Sequence, residues 1–431
     1  MRGAADGSGA PGYRRAIVVG GGLAGITAAL DLADAGAQVT LLEVRRQLGG
    51  AVYSFERDGR LLDNGQHVFL RCCTAYRELL ARLGSEDGTF LQPKLRIPVL
   101  SPGRAPCAIW RNGLPAPLHL GQSLLRYPRL TVGERVSAVR AALALSRVDP
   151  DDPANDQRTL GEWLAAHGQG PRALAALWDL IALPTLNLPA NEASLALGAF
   201  VFRVGLLSDR AAGDIGVHVR PLIEIIGRPA LAALQAAGVD VRRGCPAKAV
   251  EPGPVVQIEG ETLEADVVIL ALPHQRVGAV MAQAAVELDS SPIVNLHLRY
   301  DRPVFDGLFA AGVQTPVQYL FARGPSIALS LSGAREEMQL SSEELRARYE
   351  PALAELLPAA RGARVEHFQV SREHAATFFA GPGVQARRPG PQTGVPGVWR
   401  AGAYTQTGWP ATMEGAVMSG HRAAELALGR G

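Results

Sequence analysis

The chain has 431 residues, of which 47% are hydrophobic and 19% charged, a composition that excludes an intrinsically disordered protein and allows two or more packed units. Its 43 Lys and Arg residues nearly balance 41 Asp and Glu residues, so the overall charge gives no reason to expect nucleic-acid binding.

The first residues, the apolar runs and the cysteines indicate the compartment in which the protein works. The first twelve residues, MRGAADGSGAPG, have no apolar core, so we predict a flexible start and not a secretory signal. The chain contains no run of about eighteen apolar residues, so we predict no membrane-spanning helix. The cysteines show no metal-ligand spacing, which favours a reduced, cytoplasmic compartment. They are Cys72, Cys73, Cys107 and Cys245.

A β-α-β unit opens the folded part of the chain. Residues 15–19, RAIVV, predict a buried strand. LAGITAALDLADAG follows with apolar residues at helical spacing, and Gly36 is placed to cap the end of that helix. AQVTLLEV predicts the second strand. Two strands joined through a helix predict a parallel sheet.

The regular pattern of strands and helices is lost in two regions further along the chain. Regions 91–214 and 291–391 are irregular, whereas sheet-like patterns return at 238–250 and 265–273, and VWRAGAY and MEGAVMSGHRAAELAL predict a last strand and helix. We therefore predict a discontinuous nucleotide-binding domain and a second, substrate-binding domain built from the two insertions. The predicted nucleotide-binding segments are 13–90, 215–290 and 392–431, and the substrate-binding segments are 91–214 and 291–391.

A glycine-rich turn joins the first strand to the first helix. It has the pattern G-x-G-x-x-G, and Glu43 stands at the end of the next strand. In this context the glycines allow a tight turn and close approach of a pyrophosphate, the helix N-terminus attracts the phosphates, and the acid accepts hydrogen bonds from a ribose. The alternative is a tight strand–helix turn with no ligand. The turn residues expected to contact the cofactor are Gly20, Gly22, Leu23, Ala24 and Gly25.

The segment after Glu43 separates FAD from NAD. EVRRQLGGAVYSF supplies E-x-R and a glycine pair, and it resembles the signature of the flavin amine oxidase and carotenoid desaturase superfamily. The resemblance implies an α/β fold: a Rossmann-like FAD-binding domain of the amine-oxidase type with an inserted mixed α+β substrate domain. It also implies that Arg45, Gly49 and Gly50 contact FAD. The superfamily usually has arginine next, where this chain has Ala51, so one common phosphate contact is missing.

A small polar knot, DNGQHVF at residues 63–69, follows the glycine pair. In the superfamily this segment passes beside the flavin, which implies that Gly65 lets the backbone approach the cofactor and that Gln66 and His67 contact it. A histidine in such a packed turn is more often a structural donor than an acid or base. The phrases at 62–84, 176–197, 208–217, 316–323 and 407–417 are similar to those of bacterial hydroxysqualene dehydroxylases, also called squalene-associated FAD-dependent desaturases.

That narrower resemblance implies a reaction. Reduced FAD would supply hydride from N5 to replace the hydroxyl of hydroxysqualene, a long apolar isoprenoid alcohol, giving squalene for hopanoid or related triterpenoid synthesis. The apolar segment 180–207 could line a tunnel for this substrate or form ordinary core. Tyr404, His67 and Asp179 are candidate acids, although Asp179 could equally cap a helix or pair with an arginine, and we assign no catalytic acid. The donor that regenerates reduced FAD is either NADPH or a separate reductase.

The carboxyl-terminal segment completes the predicted cofactor site. The superfamily ends its last strand in Gly-Asp, but here Gly402 precedes Ala403. The resemblance implies that Thr412, Met413 and Glu414 place backbone N–H groups near the pyrimidine end of the flavin, where a helix N-terminus stabilises the reduced anion.

Three further residues are carried over from the superfamily. Ala247 matches the residue whose backbone meets the adenine. Tyr404 and Trp409 occupy positions where amine oxidases present an aromatic pair before the flavin, although aromatic packing at a domain interface would look the same.

The segment TVGERVSAVRAALALSRV predicts an amphipathic helix that starts at a capping box of Thr131 and Glu134. Such a helix could lie on an anionic membrane, at the inner face of the cell membrane, but more commonly it buries its apolar face in its own protein. The predicted apolar face is Val132, Val136, Val139 and Leu143. The arginines expected around it are Arg126, Arg129, Arg135, Arg140 and Arg147.

Two other functions compete with the dehydroxylase hypothesis. An isoprenoid or carotenoid desaturase, or an amine oxidase, would keep the fold and reverse the chemistry. A flavin-free isoprenoid carrier, similar to the GDP-dissociation inhibitors of small GTPases, would keep the fold and lose the cofactor. The glycine-rich turn, Glu43 and the carboxyl-terminal ATMEG favour a filled cofactor site.

Overall fold

The structure, a computed structural model, describes residues 15–430. The predicted flexible start lies outside the described residues, as do positions 13, 14 and 431 of the predicted domain segments.

Strands and helices of the described residues are numbered in chain order. The strands are β1 Arg15–Val19, β2 Gln38–Glu43, β3 Ser54–Arg57, β4 Arg60–Asp63, β5 Val68–Leu70, β6 Thr89–Leu91, β7 Arg96–Ser101, β8 Arg104–Trp110, β9 Ile215–His218, β10 Asp240–Arg243, β11 Ala249–Glu251, β12 Val255–Ile258, β13 Glu261–Glu264, β14 Val267–Leu270, β15 Ser290–Tyr300, β16 Phe309–Gly312, β17 Tyr319–Arg323, β18 Ser326–Ser332, β19 Val365–Phe378 and β20 Val398–Arg400. The α-helices are α1 Leu23–Asp34, α2 Thr74–Arg82, α3 Gly121–Leu125, α4 Val132–Leu145, α5 Pro153–Asp156, α6 Leu160–Ala166, α7 Pro171–Ala173, α8 Asp179–Leu186, α9 Leu195–Phe202, α10 Arg228–Ala236, α11 His274–Val280, α12 Ser342–Leu356, α13 Val384–Arg387 and α14 Met413–Ala427. Single π-helical turns cover Leu174–Trp178, Arg203–Leu207 and Ile223–Gly227.

A five-stranded parallel sheet forms one half of the molecule. Its order is β10-β2-β1-β14-β20, so it collects strands from three separated parts of the chain. After the exposed Arg15, the central strands β1 and β14 are continuous buried apolar runs, as expected for parallel strands covered on both faces. The parallel sheet predicted from the opening β-α-β unit is confirmed.

Helices α1 and α14 pack together against this sheet. A Cβ atom at Gly420 would lie 2.4 Å from the carbonyl oxygen of Ala24, so the two backbones touch where the helices cross. Helix α1 ends as predicted, because Gly36 has a φ of 88° and the N–H of Ala37 donates to the carbonyl of Leu32 at 3.1 Å. The crossing brings the first and last helices of the described residues together.

A mixed seven-stranded sheet forms the other half, in the order β19-β15-β18-β17-β16-β7-β8. Its strand pairs are antiparallel except for β16 and β7, which are parallel. Helix α12 packs on one side of this sheet through buried Leu345, Tyr349 and Leu353. The predicted α/β fold with a mixed second unit is confirmed, whereas the exact domain boundaries stay a prediction.

Helix α4 begins at the predicted capping box of Thr131 and Glu134. The sequence left open whether its valine-rich face is buried in the protein. The helix packs inward through Ala138, Ala141 and Leu145, whereas Val132, Val136 and Leu143 are exposed. Arg129 does not flank the exposed face as predicted: its side chain is buried and donates to the carbonyl of Ala105 at 2.7 Å. Between residues 15 and 430, no helix has the length and apolar character needed to cross a bilayer.

Candidate active site

The glycine-rich turn between β1 and α1 is tightly closed. A Cβ atom at Gly25 would lie 1.9 Å from the carbonyl oxygen of Gly20, so any side chain there would force the first turn of α1 away from the strand. Helix α1 has no side chain that caps its N-terminus. The N–H of Leu23 faces the carbonyl of Gly49 in the bridge between Gly22 and Gly49, whereas among the described residues no hydrogen-bond acceptor is found for the N–H groups of Ala24 and Gly25. Two unpaired amides at a buried helix start fit an anionic group such as a pyrophosphate.

Glu43 organises the opposite wall of this turn. Its buried carboxylate accepts hydrogen bonds from the N–H groups of Gly21 at 2.6 Å and Arg45 at 2.7 Å. Each carboxylate oxygen retains further acceptor capacity, so the ribose contact predicted for Glu43 remains compatible with this geometry. The carbonyl of Glu43 accepts from the N–H of Cys245 at 2.9 Å, which places the loop that carries Ala247 beside the same wall.

The glycine pair crosses the first turn at close range. A Cβ atom at Gly50, where φ is 60°, would lie 2.7 Å from the Cα of Gly22. Gly49 pairs with the turn through its N–H, which donates to the carbonyl of Gly21 at 2.8 Å. The guanidinium of Arg45 donates to the carbonyl of Gly50 at 3.0 Å and lies 4.4 Å from the ring centre of Tyr53. Arg45 therefore brings a cation to the turn where Ala51 supplies none.

The polar knot fastens the two halves of the molecule together. The carboxylate of Asp63 accepts from the Ser54 hydroxyl at 2.7 Å and from the Leu222 N–H at 2.9 Å. It also forms an ion pair of 3.0 Å with Arg323 on β17 of the mixed sheet. Because Asp63 is 5% exposed, this ion pair is far less screened than a surface pair. The knot is therefore a structural joint between the cofactor side and the mixed sheet.

Asn64 and Gly65 extend this joint. The carbonyl of Asn64 accepts from the Asn295 side chain and from the Ser371 hydroxyl, both at 2.9 Å. A Cβ atom at Gly65 would lie 2.9 Å from the amide nitrogen of Asn295. The close approach that requires glycine at position 65 is therefore to Asn295, a contact that the sequence did not predict.

Three histidines lie around the knot, and burial lowers the pKa of each. The pKa values of His67, His218 and His297 fall to about 4, because desolvation of the charged ring outweighs the neighbouring Asp63 carboxylate. His218 lies between the hydroxyl of Tyr76 and the carbonyl of His67, both at 2.7 Å. All three rings are neutral at pH 7. A neutral His67 therefore suits a structural hydrogen bond better than the donation of a proton to a substrate.

Helix α14 presents its N-terminus next to these elements. The hydroxyl of its capping residue, Thr412, accepts from the N–H of Gly415 at 3.1 Å. In the part of the chain that the structure describes, the N–H groups of Met413 and Glu414 have no protein acceptor. The buried side chain of Glu414 turns away and accepts from the N–H groups of α2, although burial raises the pKa of this carboxyl. The free backbone amides are those that the sequence predicted for the pyrimidine end of a flavin.

Arg388 holds the loop that follows β20. Its side chain is 1% exposed and donates to the carbonyls of Ala403, Tyr404 and Thr405. Desolvation lowers its pKa to about 10, so the guanidinium is still charged at neutral pH. The sequence analysis missed this residue. It lies in the Pro/Gly-rich segment before β20, where nothing in the local pattern separates a buried arginine from an exposed one.

The predicted aromatic pair is placed in two environments. Tyr404 is buried, its ring covers Gly402 and lies 5.8 Å from the ring of His274, and burial raises its pKa. Its hydroxyl has no hydrogen-bond partner among the described residues. Trp409 is half-buried and packs edge-on against Phe200 at 5.2 Å. Whether the two rings line a reaction cavity stays a prediction.

Asp179 has a structural role in this fold. Its carboxylate accepts from the N–H of Ala190 at 2.7 Å, so it ties the start of α8 to the loop after that helix. Burial raises its pKa. This contact is neither a helix cap nor an arginine pair, the two alternatives to an acid that the sequence left open.

Two cavities lie in the second half of the molecule. The larger has a volume of about 1140 Å³ and mixed walls that include Gln66, His218, His297, Phe321 and Arg323. The smaller has a volume of about 80 Å³ and apolar walls. Segment 180–207, predicted as a tunnel wall, contributes to the smaller cavity and not to the larger one, because much of α9 packs into the core.

The residues present fit FAD. Unpaired amides at the starts of α1 and α14, a glycine cradle between them and the carboxylate of Glu43 match a dinucleotide that carries a flavin. Gln66, in the polar knot, lines the larger cavity. Fold and site together define a flavoprotein oxidoreductase.

Comparisons with known proteins place the chain within this class. The chain belongs to the flavin-containing amine oxidoreductase family, whose model matches residues 23–428, and FAD is therefore its cofactor. It is 30% identical to the hydroxysqualene dehydroxylase of Rhodopseudomonas palustris, over 96% of this chain and 98% of that protein. It is 24% identical to a zeta-carotene desaturase of Zea mays, over 96% of this chain and 83% of that protein. A solved structure of a redesigned putrescine oxidase covers 97% of this chain and 99% of its own, with a TM-score of 0.73 and 20% identity.

Proposed function

We propose that this protein is a hydroxysqualene dehydroxylase, which reductively removes the hydroxyl group of hydroxysqualene to give squalene, a precursor of hopanoids and related triterpenoids. The observation that carries the proposal is the 30% identity to the Rhodopseudomonas palustris dehydroxylase along almost the full length of both chains. The polar knot also supports the proposal. Its amino-acid sequence is typical of those enzymes, and the knot lines the larger cavity.

The chemistry needs a hydride, a proton and a protected cavity. When bound, reduced FAD supplies the hydride, so that a C–H bond replaces the C–O bond, the flavin becomes oxidised and the oxygen leaves as water after taking up a proton. The larger cavity, at about 1140 Å³, exceeds the roughly 300–1,000 Å³ of common small-molecule sites, so its size allows a long isoprenoid.

The residues of this chain contribute positioning more clearly than acid catalysis. His67, His218 and His297 are neutral at pH 7 and make poor proton donors, and the raised pKa of Tyr404 keeps its hydroxyl protonated but weakly acidic. Asp63 is committed to its ion pair with Arg323. The proton is therefore proposed to come from water in the mixed-polarity cavity, and no residue is assigned as the acid.

The working environment is also part of the proposal. All four cysteines lie within the described residues and none is in a disulfide, which supports a reduced, cytoplasmic location. Reduced FAD has to be regenerated by NADPH or by a separate reductase.

One alternative has specific support and another is opposed. Similarity to zeta-carotene desaturases favours an enzyme that oxidises a long isoprenoid, and similarity to putrescine oxidase supports the fold but not its substrate. A flavin-free isoprenoid carrier is opposed by the unpaired amides at both helix starts, which suit an anionic cofactor.

The decisive experiment mixes the reduced protein with hydroxysqualene without oxygen. We expect squalene to form in step with return of the oxidised flavin spectrum, one product for each flavin. Squalene in place of hydroxysqualene is the matched control, because it lacks the hydroxyl and should leave the flavin reduced. Bleaching of the oxidised protein by an isoprenoid would instead support a desaturase, and absence of flavin absorbance would support a carrier.

A further inference from the structure

Exposed apolar side chains are concentrated in one short part of the surface. Among residues 15–430, twelve large hydrophobic side chains are exposed, and six of them fall between positions 114 and 143. Val132 is the most exposed, at 72%. We call these six residues the apolar face: Leu114, Leu118, Leu125, Val132, Val136 and Leu143.

Residues of the apolar face lie on neighbouring elements. Val132, Val136 and Leu143 are spaced by four and seven residues, so they project from the same side of α4. The guanidinium of Arg135 donates to the carbonyl of Leu125, which joins the end of α3 to the start of α4. Leu118 and Leu143 line the same small cavity. The face is therefore a continuous surface formed by α3, α4 and the turn before them.

Positive charges border this face. Arg126, Arg140 and Arg147 are exposed, and no described carboxylate lies within 4 Å of any of them. The only acid between positions 114 and 147 is Glu134, and it is neutralised by Arg172 at 2.9 Å. Asp149 and the acids after it stand beyond the end of α4. An apolar surface bordered by unpaired arginines is complementary to an anionic lipid bilayer.

The small apolar cavity opens at this face. Leu118 and Leu143 are both exposed and both line it, so the cavity reaches the surface between α3 and α4. Its inner walls include Trp178 and Phe202. At about 80 Å³ it is too small to enclose a thirty-carbon chain, but it can admit one end of a chain.

We propose that the apolar face docks on an anionic lipid bilayer and that docking gives the protein access to a substrate dissolved in that bilayer. Docking requires only the surface and its charges. The second part rests on the proposed function, which supplies a substrate that dissolves in lipid.

Docking is tested by sedimentation of the full chain with vesicles of phosphatidylglycerol and phosphatidylcholine. The wild type should sediment with anionic vesicles at low salt and much less in high salt or with pure phosphatidylcholine. The double variant Val132→Asp and Val136→Asp should lose at least tenfold in binding. Phe90→Asp is the matched control, because Phe90 is also exposed but lies on β6, outside the apolar face. It should bind like the wild type.

Access to bilayer-dissolved substrate is tested by comparing two forms of the same substrate. For the Val132→Asp and Val136→Asp variant, conversion of vesicle-borne hydroxysqualene should fall several-fold, whereas conversion of detergent-dispersed substrate should stay within twofold of the wild type. Melting curves check that the variant is folded.

The outcomes separate this inference from the proposed function. Wild-type protein that does not sediment with anionic vesicles, or a double variant that sediments equally well, would overturn docking. A wild-type dimer that the double variant breaks would also overturn it, by assigning the face to a second copy of the chain. Vesicle binding without conversion in detergent would leave docking in place and reject the proposed function.

Discussion

The cofactor side of this protein and its joint with the mixed sheet are built from different groups. On the cofactor side, the turn after β1 and the start of α14 offer backbone amides, and glycines keep the space in front of them open. At the joint, the polar knot is held by side chains from distant segments, such as the Asp63–Arg323 ion pair. A backbone site depends on the spacing of a few residues, whereas a side-chain site depends on the whole fold. The first should be broken by adding a methyl group, and the second by removing a partner.

The largest expected effect comes from Gly25→Ala on the cofactor side. The new Cβ atom would lie 1.9 Å from the Gly20 carbonyl oxygen, so the turn must open and its amides lose their alignment. We expect the flavin-to-protein absorbance ratio to fall at least several-fold and the free energy of unfolding to fall by about 1–3 kcal/mol.

Gly133→Ala is the matched control for this change. A Cβ atom at Gly133, in the first turn of α4, meets nothing within 4 Å. This variant should keep its flavin and gain roughly 0.5–1 kcal/mol in stability from the better helix former. Equal flavin loss in both variants would contradict a cofactor site built on the first turn.

Arg388→Met should have the next largest effect, because Arg388 holds the loop that follows β20. The change leaves the buried carbonyls of Ala403, Tyr404 and Thr405 without their donor, and we expect a loss of about 3 kcal/mol in chemical denaturation. The flavin should also bind more weakly, since this loop precedes α14. Arg388→Lys keeps the charge but not the planar fork, so it should recover only part of the stability. Wild-type stability in Arg388→Met would remove Arg388 from the account.

Acid should lower the free energy of unfolding through the buried histidines around the polar knot. His67, His218 and His297 have pKa values near 4 in the folded protein against 6.5 in the unfolded chain, so below pH 6.5 the unfolded chain takes up protons that the folded protein does not. Stability should therefore fall as the pH drops from 6.5 towards 4, by at most about 1.4 kcal/mol per pH unit for each histidine. Urea midpoints at pH 7, 6 and 5 measure this slope, and His297→Gln should reduce it.

His421 provides a control of opposite sign. Its hydrogen bond to Asp31 raises its pKa above 6.5, so the stability it contributes is fully present below pH 6.5 and is lost as the pH rises through the folded value. His421→Gln should therefore weaken the protein mainly at the acidic end of the series. A flat profile for the wild type between pH 6.5 and 5 would contradict neutral histidines around the knot.

The smallest effect is expected from restoring a cation beside the glycine pair. Ala51→Arg adds an exposed charge near the proposed phosphate position, and such surface pairs are worth about 0.2–1 kcal/mol. The dissociation constant of FAD should fall by up to about fivefold. The control Ala51→Gln, which adds length without charge, should leave the dissociation constant at its wild-type value. Arg45 already lies at this turn, which keeps the expected gain small.

The sequence predicted the cofactor side in detail because its information is local. The β-α-β unit, the capped end of α1 at Gly36 and the start of α14 all follow from neighbouring residues, and each is present in the structure. The mixed-sheet half was predicted only as a class of fold. Nothing in the sequence separates Arg388 and Arg323 from other arginines, and the contact of Gly65 with Asn295 was not predicted. The cofactor contact assigned to Gly65 stays a prediction.

Helix α4 shows the same limit from another direction. Thr131 and Glu134 predicted where the helix begins, and its apolar spacing predicted that it is a helix. The side of the helix that faces the core is formed by Ala138, Ala141 and Leu145 and not by the valines. Small side chains allow closer packing against α3, and this preference depends on a partner that the helix sequence does not contain.

We propose that the amino-terminal turn and the start of α14 together hold one flavin. The flavin content of the purified wild-type protein, measured by absorbance after denaturation and again after incubation with added FAD, tests this site. We expect one FAD per chain. A colourless protein that takes up no FAD would show that the two segments do not form a flavin site.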